Sequence, residues 1–552
     1  MKRLFPLLAF FISLQLFAQE DAWIYFKDKP NAATFLASPL TMLSQRALDR
    51  RTRQNIALDN KDVPIEATYY NQIKNTTGIT ILAKSKWLNA IHVQGTQSRI
   101  NSLKNTFTFI QKIEFADNSL NLNGKRLPKS KSNTATKRNK FAEINADFNY
   151  GNTQNQTEML KADFLHKQNF TGNGMHIAVI DAGFPNVDLL TAFARVRNNN
   201  QILGGYNFVD RSTNFYVKKV NQNNSIVNNH GTNVLSAIAG YTDGQFVGTA
   251  PDASFYLFIT EDVFNEVPLE ESLWVEAAER ADSLGVDIIN TSLGYSTFDE
   301  SRYNYSYADM DGKTTFISRG AEIGASRGMI IVNSAGNEGN GTWKYITAPA
   351  DANSVFTIGA VDPIKVIAGF SSFGPTSDNR IKPDVLAQGQ SVFVLDQNTG
   401  KSRTSNGTSF SSPIMAGVIA CFWQAFPSLT NTQIMQRIRE SSDRYNNPTA
   451  QYGYGIPNFE TAYGNVLNVD KQNFIKGISV YPNPISATFK LKTTTNDLSS
   501  LSIQIFNVIG KKVYEERSLK SKTIDVSELS SGIYILKIMS ESLQKTIKLI
   551  KK

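Results

Sequence analysis

Apolar positions between residues 141 and 470 fall in unbroken runs, at 177–180, 255–259, 286–289, 329–332 and 355–358, separated by stretches of helical periodicity such as 270–284. A strand with water on one face alternates apolar and polar residues. A run without alternation belongs to a strand covered on both faces, and intervening helices supply the covers. The pattern predicts an α/β domain built on a doubly wound parallel sheet. Downstream, in 471–552, short alternating strands (488–491, 501–508, 512–516, 533–539 and 546–550) are broken by Pro482, Pro484, Gly510 and Gly532, which predicts a small antiparallel β-sandwich. Upstream, strand-like runs at 23–26, 78–83, 90–93 and 109–115 mix with helical stretches at 39–53 and 97–106, as in a small α+β unit.

The N-terminus departs from all three textures. Lys2 and Arg3 precede an apolar run at 4–17 broken by Ser13 and Gln15. A membrane-spanning helix needs about 20 apolar residues, so the run reads as a secretory signal peptide occupying 1–18. No later segment qualifies as transmembrane. Residues 121–140 are basic, rich in Ser, Asn and Thr and almost free of apolar side chains, a linker composition open to proteases.

Charge changes the picture further. The chain has 552 residues with 57 Lys and Arg against 48 Asp and Glu, a net +9 that taken alone suggests an anionic partner. The balance is uneven: 22 basic against 9 acidic residues in 1–140, 21 against 33 in 141–470, and 14 against 6 in 471–552. An acidic middle segment excludes a nucleic-acid-binding face there. The single cysteine, Cys421, forbids an intramolecular disulfide in an exported chain and reads as a small buried hydrophobe. Stability then rests on core size or bound ions.

In a doubly wound sheet the chemistry gathers at the carboxyl ends of the strands. Asp181 ends the first run; alone it reads equally as a helix N-cap or a structural ion pair. His230, in Asn229-His230-Gly231-Thr232, opens a small-residue helix that Gly240 is suited to stop, and a helix N-terminus favours the neutral imidazole that a general base needs. Ser409, in Gly407-Thr408-Ser409, sits at another helix start, with Pro413 placed in the first turn; free N–H groups there suit a nucleophile whose acyl carbonyl becomes an oxyanion, although an N-cap needs the same residue. Asn337, after the run ending at Val332, is a turn former or an oxyanion donor.

Together these pieces resemble the subtilisin family of serine endopeptidases, whose triad runs Asp, His, Ser along the chain. The matching segments are Val179-Ile180-Asp181-Ala182-Gly183, His230-Gly231-Thr232, Ser292-Leu293-Gly294, Ala335-Gly336-Asn337 and Gly407-Thr408-Ser409. The resemblance implies Ser409 as nucleophile, His230 as general base and then acid, Asp181 as the carboxylate orienting the imidazole, and Asn337 with the Ser409 N–H as the oxyanion hole. It implies Ser292, Leu293, Gly294, Ala335 and Gly336 as the substrate-binding residues, with extended peptide added as a strand, and Thr347 near the floor of the specificity pocket. Ala182 and Phe410 depart from the usual residues without removing a catalytic group. The stretch 295–313 is an addition that either walls the cleft, binds a cation or is simply solvated.

The flanks fit the same resemblance. Residues 19–140 are similar to a pro-domain with its linker, the basic charge of which favours docking on an acidic enzyme, and 471–552 to the sorting domain of type IX secretion, with an adhesion or carbohydrate-binding β-module as the competing reading. The expected product is a secreted or cell-surface monomer, made as a zymogen, which acts on protein or peptide substrates. It binds no nucleic acid and needs no cofactor for chemistry; a structural calcium is compatible with it, with ligands unknown. The rival is a subtilisin-fold surface adhesin or scaffold without turnover.

Overall fold

The computed structural model describes residues 19–121, 148–493, 498–540 and 543–552; the signal-like segment 1–18 and the linker from 122 onward lie outside them. Contacts divide the chain into two compact units that meet between Glu460 and Thr461.

The first unit begins with a four-stranded antiparallel sheet of β1 (Gln19–Phe26), β2 (Ile79–Ser85), β3 (Ala90–Thr96) and β4 (Ile110–Phe115), in the order β2-β3-β1-β4. Helices α1 (Gln45–Arg53), α2 (Ala67–Lys74) and α3 (Gln97–Thr106) accompany it. Strand β1 is buried on both faces, and its period of two divides the work. Ala22, Ile24 and Phe26 pack in the core of this small sheet, whereas Trp23 and Tyr25 join the core of a larger sheet-and-helix element.

That larger element is built on a seven-stranded sheet: β5 (His176–Asp181), β6 (Ile202–Asn207), β7 (Ser254–Ile259), β8 (Ile288–Thr291), β9 (Ile330–Ser334), β10 (Phe356–Val361) and β11 (Val385–Gln388), in the order β11-β10-β9-β8-β5-β7-β6. All six pairings are parallel. The five apolar runs read from the sequence are β5, β7, β8, β9 and β10; β6, with Gly204 and Gly205 at its centre, and the four-residue β11 carry no such run. Covering helices are α4 (His230–Ala239), α5 (Leu269–Leu284), α6 (Phe316–Ser326) and α7 (Thr408–Ala425). Helix α7 is buried from Thr408 to Trp423, apolar nearly all round as a central helix must be. The four-stranded sheet lies on α5 and α6, where Trp23 stacks on Phe316 at 4.8 Å and donates to Ser272 Oγ at 2.8 Å.

Pro413 falls in the second turn of α7, because the helix starts at Thr408, earlier than a proline at its entry implies. Helix α8 (Phe459–Gly477) runs through residue 470, where the change in sequence texture suggests a boundary. The second unit holds two antiparallel sheets, β12-β13-β16 and β15-β14-β17-β18, from β12 (Ser479–Tyr481), β13 (Thr488–Lys492), β14 (Ser502–Asn507), β15 (Lys512–Glu516), β16 (Thr523–Asp525), β17 (Gly532–Ser540) and β18 (Leu543–Lys551). Phe489, Leu491, Ile503, Ile505, Leu536 and Ile538 fill its core. Among the described residues no helix is long and apolar enough to cross a membrane.

Candidate active site

The sheet sends β6 and β7 to one side of β5 and then places β8 on the other, so the direction of strand addition reverses between β5 and β8. Such a reversal opens a crevice at the carboxyl ends of the strands. Asp181 ends β5, and Ser292, Leu293 and Gly294 follow β8 directly. Ala335, Gly336 and Asn337 follow β9, and the starts of α4 and α7 bring His230 and Ser409 to the same edge.

Asp181 is fully buried and takes the imidazole Nδ1 of His230 at 2.9 and 3.1 Å on its two oxygens. The first oxygen also accepts the Ala182 N–H at 2.8 Å. Gly231 makes this approach possible: a Cβ there would lie 2.9 Å from Asp181 Cβ and 2.5 Å from the Gly183 carbonyl. Burial pulls the His230 pKa down, and the charge and hydrogen bond of Asp181 push it up by more, so it lies above the ordinary 6.5. The helix N-terminus alone predicts the opposite direction; a carboxylate in contact outweighs a terminal dipole. The His230 side chain is 35 % exposed, open to the cleft on one side and flanked by the Phe410 ring at 5.9 Å on the other.

Ser409 is the second residue of α7. Its hydroxyl donates to the Ser292 carbonyl at 3.3 Å, and the Ser292 hydroxyl returns a bond to the Ser409 carbonyl at 2.9 Å. That carbonyl is available because of Pro413: four residues on, where a helical N–H is expected, there is none. The proline thus frees an acceptor that ties the strand end at Ser292 to the start of α7. Asn337 Oδ1 accepts the Thr408 N–H at 2.9 Å and the Thr408 hydroxyl at 3.0 Å, which orients the amide and leaves its N–H groups for a ligand. Gly336 meets the same hydroxyl. Thr347 lies against Gly294, where an added Cβ would be 2.1 Å from its Oγ1.

One side of the crevice was not apparent in the sequence. A cleft of about 580 Å³ is lined by His230, Ser292, Leu293 and Gly294, and opposite them by Glu261, Asp262, Glu266, Glu270 and Asp299. None of these five carboxylates is in an ion pair among the described residues. The available signal was position, since Glu261 and Asp262 lie just past the carboxyl end of β7. Of the stretch 295–313, Tyr295 donates to Glu261 at 2.7 Å, Tyr305 to Glu271 at 2.7 Å, and Asp309 caps its own turn at Ser306. The stretch lines the cleft at Asp299, and its remaining carboxylates are occupied as well: Asp299 takes the Glu266 N–H at 3.0 Å, Glu300 pairs with Arg302 at 2.7 Å, and Asp311 takes the Lys313 and Thr314 N–H groups at 2.8 Å.

Burial pushes Glu261 up to about 8, against the bonds from Tyr295 and Thr260, and Glu266 and Asp181 add to the rise. Unfolded, the same carboxyl titrates near 4.5. Between the two values the native state holds the extra proton, so this group's contribution to stability declines as pH rises through that window. Glu261→Gln, in a Ser409→Ala background that prevents self-digestion, is expected to match its parent at pH 5 and to exceed it at pH 9 by on the order of 1–2 kcal/mol. Urea denaturation at both pH values measures this; equal gaps at both would discard the assignment.

A family model described as the subtilase family matches residues 172–455, one for the peptidase S8 propeptide domain of Bacteroidota matches 21–137, and one for the secretion system C-terminal sorting domain matches 479–552. Subtilisin NAT of Bacillus subtilis subsp. natto is 32% identical over 309 residues, 55% of this chain and 69% of that protein. The subtilisin of Bacillus pumilus is 31% identical over 309 residues, 55% and 96%, and serine protease AprX of Bacillus subtilis (strain 168) is 28% identical over 328 residues, 53% and 67%.

Proposed function

Because the chain belongs to the subtilase family, as a subtilisin-like serine endopeptidase with its own propeptide domain and a sorting domain for type IX secretion to the cell surface or beyond, we propose that it is made as a zymogen and hydrolyses peptide bonds through Ser409, His230 and Asp181. The observation that carries this is the buried Asp181 carboxylate 2.9 Å from His230 Nδ1, at the same edge of the sheet as a serine at the N-terminus of a buried helix. The Asp181 bond keeps the proton on Nδ1 and leaves Nε2 to act as base. Ser409 turns its hydroxyl from the Ser292 carbonyl to His230, gives up the proton and attacks the scissile carbonyl. The Asn337 amide and the Ser409 N–H receive the oxyanion. His230 then protonates the leaving amine, and water repeats the sequence on the acyl-enzyme.

Substrate adds as a strand along Ser292, Leu293 and Gly294, with Ala335 and Gly336 facing it. Thr347 presents a neutral hydroxyl, without a partner among the described residues, beside Gly294. This favours an uncharged side chain in the specificity pocket. In this scheme 19–140 is pro-domain and linker, 141–470 the catalytic domain and 471–552 the sorting domain. The catalytic portion on its own is acidic, with 33 Asp and Glu against 21 Lys and Arg in 141–470.

Fluorophosphonate labelling of the processed protein, followed by cleavage of a peptide library, tests the proposal. One label per chain, lost in Ser409→Ala, is expected. Absence of label after removal of the pro-domain favours the non-catalytic adhesin, and a strong preference for Arg or Lys at the cleaved residue overturns the pocket assignment.

A further inference from the structure

Between β1 and α2 the pro-unit carries about forty residues, 27–66, that take no part in its sheet. Helix α1 lies in this insertion, and its contacts are at the end of the central sheet away from Ser409. Arg46 donates to the carbonyls of Gly174 at 2.8 Å and Gly285 at 3.0 Å and pairs with Asp287. Arg50 reaches the Val286 carbonyl and Asp282. Gln54, just past the helix, donates to the Gly328 carbonyl at 2.7 Å. These positions lead into the amino ends of β5, β8 and β9, whereas Asp181, Ser292 and Asn337 stand at the carboxyl ends. A strand of five or six residues separates the two edges by about 15–20 Å.

Spacing places Arg46, Arg50 and Arg53 at i, i+4 and i+7, one face of the helix, and Arg53 adds a second contact to Asp287 at 3.5 Å. The side chains of Arg50 and Asp282 are both 0 % exposed. Arg51 shares Asp282 at 2.7 Å and pairs with Asp62 at 3.0 Å; Arg327 of the catalytic unit reaches back to Asp62 at 3.4 Å and Asp59 at 3.1 Å. Cations and anions from the two sides interleave. Truncating one member of a buried, hydrogen-bonded charge pair across an interface leaves its partner buried and unpaired and speeds dissociation, so the rate at which the two surfaces part should depend on these arginines. None of its members lines the cleft beside His230.

We propose that the catalytic unit has a second docking surface at the amino edge of its sheet, formed by Asp282, Asp287 and the carbonyls of Gly174, Gly285, Val286 and Gly328. It takes an arginine-bearing helix, the chain's own α1. The proposal rests on reading residues 19–121 as the pro-unit. Cutting the linker severs the chain without touching this anchor, and the anchor holds whether or not the cleft is filled. Release of the pro-unit then requires cleavage within the pro-unit itself.

The test uses full-length protein with a site-specific protease sequence placed between residues 122 and 147. After the cut, dissociation of the 19–121 piece is followed by gel filtration and by the appearance of peptidase activity. The parent is expected to keep the piece bound. Arg50→Ala with Arg51→Ala is expected to release it about 100-fold faster or more, with an unchanged kcat/KM once release is complete, since the liberated enzyme has the same sequence. Should that variant not fold, Arg46→Ala, at the half-exposed end of the network, is expected to speed release about tenfold. Release at the parental rate in the variants that fold overturns the second surface. A parent whose 19–121 piece neither stays bound nor inhibits overturns instead the pro-unit reading on which it stands.

Discussion

Ser409→Ala is expected to lower kcat for peptide hydrolysis by about 10⁶-fold, a magnitude carried over from subtilisin. The loss is chemical, because the folded state depends little on the hydroxyl. Its one hydrogen bond among the described residues, to the Ser292 carbonyl, is long at 3.3 Å, and such a bond contributes about 0.5–1.5 kcal/mol. The contact joining β8 to α7, from the Ser292 hydroxyl to the Ser409 carbonyl, survives the substitution. The variant must be assayed after its linker has been cut by an added protease and the pro-unit removed, so that a missing nucleophile is not confused with a blocked cleft. Unprocessed full-length variant is expected to accumulate if, as proposed, the chain is a zymogen that cuts its own linker. Activity within 100-fold of the parent, on freed enzyme with a parental thermal midpoint, would falsify the assignment of the nucleophile.

Replacing the carboxylate behind the imidazole separates two further effects. Asp181→Asn keeps the shape of a fully buried side chain but removes its charge and turns one of the two oxygens facing His230 Nδ1 into an NH2 donor, so the proton is no longer held on Nδ1. Loss of the correct tautomer costs about 10⁴ in kcat in an equivalent triad. The pH profile should move as well. Protonated His230 is no base, so activity falls on the acid side around its pKa, which lies above 6.5 while Asp181 is ionised beside it. In the variant the raising charge is gone and burial, which lowers the pKa, remains. The acid limb of kcat/KM should therefore shift to lower pH while the plateau drops. An acid limb at the parental position would show that some other group governs it, even if the rate fell.

Docking of the pro-unit illustrates how far net charge carries. The basic 1–140 and acidic 141–470 segments suggest attraction of one sign, and α1 supplies it through Arg46, Arg50 and Arg51. Elsewhere the polarity is reversed: Arg319 and Arg302 of the catalytic unit hold Glu114 and Glu20 of the pro-unit. A further hold comes from uncharged donors, with Glu279 accepting the Trp87 and Lys86 N–H groups at 2.9 and 3.1 Å and the Ser85 hydroxyl at 2.6 Å. Complementarity here is set residue by residue.

What the sequence determined by itself was local. Unbroken apolar runs marked β5, β7, β8, β9 and β10, because burial on both faces leaves its trace within five residues. Small residues, a glycine or a proline beside Asp181, His230, Ser409 and Asn337 marked their places at strand ends and helix starts, since a close approach or a helix entry constrains its immediate neighbours. Tertiary structure decided what depends on residues far apart. Strand β6, with two glycines, is a strand because β7 pairs with it. Pro413 leaves no orphaned acceptor inside α7 because Ser292, 117 positions from Ser409, satisfies the carbonyl that the proline abandons. The acidic wall of the cleft and the buried Arg50–Asp282 pair, separated by 232 positions, share that origin. Charge and burial there are properties of a packed neighbourhood, and no window of sequence contains it.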